Sequence, residues 1–78
     1  MAINRDKDCY EFRDSSSELI GRAWVENGVI TGDNDRLVRV LRRQFKESIH
    51  TDVDEYFWEV LPHRMVHAHL SIHGVPRA

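Results

Sequence analysis

The chain has 78 residues, 31% charged and 41% hydrophobic, and its 11 Lys and Arg against 13 Asp and Glu give a formal net charge of −2. This length makes one domain, residues 1–78, with a thin core. A lone cysteine, Cys9, excludes an internal disulfide framework. No run approaches the ~20 apolar residues of a membrane span, and the charged start MAINRDKDCYEFRD lacks a signal peptide's apolar core, so a cytoplasmic protein is expected.

Residues 1–7 are polar and expected to be loose. Tyr10 and Phe12 then alternate with Cys9, Glu11 and Arg13, a short strand pattern, and Asp14 to Glu18 reads as a turn. In LIGRAWVENGVITG, Asn27-Gly28 between two β-rich runs predicts a two-residue hairpin, because both residues tolerate positive φ. That turn pairs Glu26 with Val29, Val25 with Ile30 and Trp24 with Thr31. Leu19, Ala23, Val25 and Ile30 then make the core face, and Ile20, Arg22, Trp24 and Thr31 the other.

Gly32-Asp33-Asn34-Asp35 breaks the strand and offers several N-caps. Leu37, Leu41, Phe45 and Ile49 recur every four residues with Val38 beside them, predicting a helix over about 34–49. Thr51-Asp52-Val53-Asp54 has the form of a capping box. Val53, Tyr56, Phe57, Val60 and Leu61 follow at helical spacing, and Pro62 should end that second helix. From Val66 to His73 apolar residues alternate with His67, His69, Ser71 and His73, which favours a strand. The alternative is a third helix opened by Pro62 and closed by Gly74 and Pro76. The expected fold is α+β, order β-β-β-α-α-β: an antiparallel sheet, made of an N-terminal hairpin and a C-terminal strand, packed against two helices.

Three features could carry function. Arg36, Arg39, Arg43 and Lys46, with Arg42 adjacent, form a cationic stripe opposite the apolar face of the first helix. Either it is a solvated face, or it docks phosphate or an acidic protein patch, and arginine suits the latter through bidentate contacts. Trp58 falls off the apolar face of the second helix and is a candidate exposed anchor. On a strand, His67 and His69 would share a side at metal-ligand spacing, with His63, His50, Asp52 or Glu55 as possible third donors. In the helical alternative His63 pairs with His67 and His69 with His73. The plainer reading makes these histidines the polar side of a half-buried strand, so neither a metal nor a cofactor is assigned.

No catalytic constellation is apparent. Asp52, Asp54 and Glu55 suit the positive end of a helix, Cys9 has no nucleophile motif around it, and there is no glycine-rich phosphate loop. WVENGVITGDNDRLVRVLR resembles, in general outline only, segments of small phage and bacterial proteins, which implies no activity. The reading that follows is a non-enzymatic protein-binding module of adaptor or inhibitor type. It would use Arg36, Arg39, Arg42, Arg43, Lys46 and Trp58 against an acidic partner, with self-association through an open sheet edge or the exposed Trp58 as a further expectation. A nucleic-acid regulator using the same helix is the alternative, and a metal-binding domain centred on His67 and His69 the third.

Overall fold

In a computed structural model, residues 3–65 and 68–77 are described. The chain forms β1 (Asp8–Arg13), β2 (Leu19–Glu26), β3 (Val29–Gly32), α1 (Asp35–Lys46), a second helix and β4 (Ser71–Pro76). The second helix, α2, runs in three contiguous pieces: an α-helical turn Val53–Glu55, a π-helical segment Tyr56–Val60 and an α-helical turn Leu61–Met65. The sheet is antiparallel throughout, in the order β3-β2-β1-β4. The α+β fold in the order β-β-β-α-α-β is therefore observed.

The hairpin has the expected register, Glu26↔Val29, Val25↔Ile30 and Trp24↔Thr31. Asn27 and Gly28 both take positive φ, 53° and 74°, as a type I′ turn requires. Between β1 and β2 the register slips at Phe12/Arg13, so that Phe12 faces Gly21 while Arg13 faces Leu19. This bulge inserts Ile20 as an extra residue and turns it toward the core cluster. Leu19, expected in the core, is instead 45% exposed.

α1 starts where the cap predicts. Asn34 accepts from the Leu37 amide at 3.0 Å and its Nδ2 donates to the Ile20 carbonyl at 2.8 Å, fastening the helix to the start of β2. Just before it, Gly32 lies so close to β2 that a Cβ would meet the Arg22 carbonyl at 2.4 Å. The helix stops at Lys46, three residues earlier than its periodicity suggests, and Ile49 is 93% exposed. Ser48 ends it, its hydroxyl and amide both donating to the Phe45 carbonyl.

α2 departs from expectation at three points. Its cap is Asp52, which accepts from the Asp54 and Glu55 amides, not Thr51. Pro62 lies inside the helix instead of ending it. Proline leaves the carbonyl four residues back, that of Trp58, without its usual donor, and Tyr10 Oη supplies one at 2.8 Å. The backbone adjusts through the π turn, in which the Leu61 amide reaches the Tyr56 carbonyl. Each residue of a π turn advances by less than the ~100° of an α-helix, so three consecutive aromatics, Tyr56, Phe57 and Trp58, all face the core.

The core joins Tyr10, Phe12, Ala23 and Ile30 of the sheet to Leu37 and Leu41 of α1 and Tyr56, Phe57, Trp58, Leu61 and Met65 of α2. Tyr10 stands 4.9 Å from the Trp58 ring and 5.3 Å from Phe57, centroid to centroid. The tail strand exists but begins at Ser71, later than its alternation suggests, because His69 takes a left-handed φ of 58° in the turn before it. Residues 3–7, expected to be loose, fold back into a turn. Lys7 and Asp8 amides donate to the Asn4 carbonyl, and Arg5 pairs with Glu59 at 2.8 Å.

Two stability outcomes follow from these contacts. Tyr10→Phe removes the donor that replaces the Pro62 amide and should cost about 1–3 kcal/mol, read as a lower midpoint in urea with unchanged slope; a shift below about 0.5 kcal/mol would show that the Trp58 carbonyl does not depend on Tyr10. Asn34→Ala loses both the cap and the Ile20 contact and should cost about 2 kcal/mol. Asn34→Ser keeps a cap without the second contact and should fall between the two.

Candidate docking face

The five cations of the first helix come together as expected. At ~100° per residue, Arg42, Lys46, Arg39, Arg43 and Arg36 occupy one arc of about 120° over about 15 Å of axis, opposite the buried Leu37, Val38 and Leu41. All five are exposed. Among the described residues none lies within ion-pair distance of a carboxylate; the pairs formed are Arg5–Glu59, Arg13–Glu11 and Arg22–Glu11. Asp35 and Glu47 bracket the stripe at its two ends.

Arg42 differs from the other four. Its Nε donates to the Ile30 carbonyl at 2.7 Å, so it is held against the outer edge of β3. Its remaining N–H groups and those of Arg39 border a shallow groove of about 420 Å³ between β3 and α1, lined also by Thr31, Gly32, Asp35 and Val38. No pattern in the sequence indicates this contact, which depends on Ile30 of β3 lying beside the third turn of α1.

Trp58 is not part of this face. It is 6% exposed and packs edge-on against Phe57 at 4.8 Å, because the π turn carries it inward. The partly exposed tryptophan is Trp24, on the sheet face away from the helices, with the Arg77 guanidinium 5.6 Å above its ring. Its place opposite Thr31 was readable from the hairpin register, whereas Arg77 comes from the far end of the chain.

The expected His67–His69 strand spacing is not borne out at His69. His69 is exposed in the turn before β4, outside any strand, and His67 lies outside the described residues. His73 is exposed on β4 and faces Glu11 across the ladder. Among the described residues no three His, Cys, Asp or Glu side chains converge on a point that could hold a metal ion.

On the helix-free sheet face, Glu11 receives Arg13 Nε at 2.8 Å and Arg22 at 3.3 Å. The hydrogen bond from Arg13, aided by Arg22, holds its carboxyl below the usual range. Cys9 lies fully buried on the same face. Burial pushes its thiol up, against the opposing pull of Arg22 and Arg77, which is the environment of an inert thiol. Comparisons with family models, curated proteins and solved structures find no match.

Cys9 in the folded chain should therefore react with iodoacetamide on the order of 100-fold more slowly than a free thiol and label fully in denaturant. Native labelling at the free-thiol rate would show that this face opens.

Proposed function

We propose that the chain is a small protein-binding module, acting without catalysis, whose α1 stripe docks on an acidic surface of another protein. The observation that carries this reading is the concentration of five exposed cations, out of 11 in the chain, on one helix face with no carboxylate of the described residues against them. Four of the five are arginines, suited to bidentate carboxylate contacts. Arg42 is already oriented by its bond to Ile30, which lowers the ordering cost of using its free N–H groups. The groove beside it is lined by both arginines together with Thr31, Gly32 and Val38, so one ligand can meet them together.

A protein partner is favoured over nucleic acid by the acids at the stripe's ends. A phosphate track longer than about 15 Å would run onto Asp35 or Glu47. A compact acidic patch that fits within the stripe meets neither acid.

The test replaces Arg36, Arg39 and Arg43 with Glu and leaves Arg42, which also holds β3. The triple variant should keep its circular dichroism and melt close to wild type. As immobilised bait in lysate of the cells that make the protein, it should retain at least about tenfold less of a specific prey than wild type does. Charge reversal on that prey's acidic patch should restore binding to the variant. Equal retention by both baits defeats the proposal, and duplex DNA binding that weakens steeply with salt reassigns the stripe to phosphate.

A further inference from the structure

The two edges of the sheet are finished differently. β3 is four residues long, and its register turns the backbone groups of Ile30 and Gly32 outward; the Ile30 carbonyl is taken by Arg42. β4 is six residues, SIHGVP, with no Lys, Arg, Asp or Glu. Charges, prolines and bulges are the usual devices that keep an edge strand from pairing. β4 carries no charge, its one proline stands at its last residue, and it runs in unbroken register from Asp8↔Pro76 to Arg13↔Ser71.

Its outward groups can be identified. The Arg77 amide donates to the Lys7 carbonyl, so in this ladder residues 73 and 75 turn their backbone groups toward β1 while Ile72, Gly74 and Pro76 turn theirs away. Among the described residues nothing hydrogen-bonds to the outward amides and carbonyls of Ile72 and Gly74.

We propose that β4 pairs antiparallel with β4 of a second copy of this chain, about a two-fold axis at His73. Three registers would continue the sheet with its helix face on one side, centred on Ile72, His73 or Gly74. Centring on Gly74 sets Ile72 opposite the second copy's Pro76, which has no amide to give. Centring on Ile72 sets Gly74 opposite Leu70, whose amide is already directed at the Met65 carbonyl. Centring on His73 sets Ile72 opposite Gly74 in both directions, and all four amides and four carbonyls of those residues are used in four hydrogen bonds if each carbonyl accepts once. The edge is thus self-complementary in one register. The α1 stripe lies at the other edge of the sheet, beside β3, so pairing at β4 leaves it open and is independent of the docking role.

Sedimentation velocity of the full chain between about 10 µM and about 1 mM should show the 9.2 kDa species giving way to its dimer. In the inferred register the two His73 residues form a non-hydrogen-bonded pair with Cα atoms about 4.5 Å apart, within disulfide reach. Oxidised His73→Cys should therefore cross-link between copies, whereas Ser71→Cys, which faces Val75 of the other copy, should not. Gly74→Pro removes an outward amide from each copy and should weaken the dimer by on the order of tenfold or more. A chain that stays monomeric at the highest concentration overturns the proposal, as does Ser71→Cys cross-linking as readily as His73→Cys. A folded Gly74→Pro variant that dimerises undiminished does the same. Should that variant fail to fold, the contrast between the two cysteine variants decides.

Discussion

Proline at position 62 removes one amide from a helix that packs across the sheet, and the way that gap is filled sets the position of α2. The Trp58 carbonyl turns to Tyr10 Oη, so the helix is hydrogen-bonded directly to β1. The π turn that accommodates the proline also rotates Trp58 inward. Tyr10, Phe57 and Trp58 then interlock at centroid separations of 4.8 to 5.3 Å. In a chain too short for a deep core, this cluster supplies much of the apolar mass that β1 and α2 share.

The same constraint explains what the sequence made legible and what it hid. Patterns set by neighbours in the chain were readable. Asn27-Gly28 specified a turn and a register, and Asn34 stood where a cap was needed. The spacing of Leu37, Leu41 and Phe45 gave the inner face of α1, and with it the arginine stripe opposite. Features set by groups distant in sequence were not readable. A proline normally ends a helix, and nothing near Pro62 indicates that a tyrosine 52 residues upstream will supply the missing partner. Trp58 was misplaced for that reason, since the 3.6-residue period that put it outside does not hold through a π turn. Leu19 was misplaced because strict alternation fails at a bulge, and Ile49 because the helix had already ended.

Removal of Trp58 from the surface changes the character of the candidate site. With an aromatic anchor it would have been a mixed patch; without one it is electrostatic, with arginine stems as its apolar component. Such faces govern encounter rate and selectivity more than strength, and salt screens them within about a Debye length. Affinity would then have to come from the groove between β3 and α1, which Arg39 and Arg42 line together with Thr31, Gly32 and Val38.

Arg42 connects the fold to this face. Its Nε blocks the outward carbonyl of Ile30, the position at which a stray strand would begin to pair with β3, while its terminal N–H groups remain on the stripe. One side chain thus closes an edge and contributes to a surface, so its loss would expose the β3 edge as well as remove a charge. The opposite edge has no such guard before Pro76, its last residue. β4 carries no charge, and its free backbone groups lie symmetrically about His73. Two edges of one small sheet treated so differently fit a division of labour, in which the arginine-guarded edge meets a foreign partner and the neutral one meets its own copy.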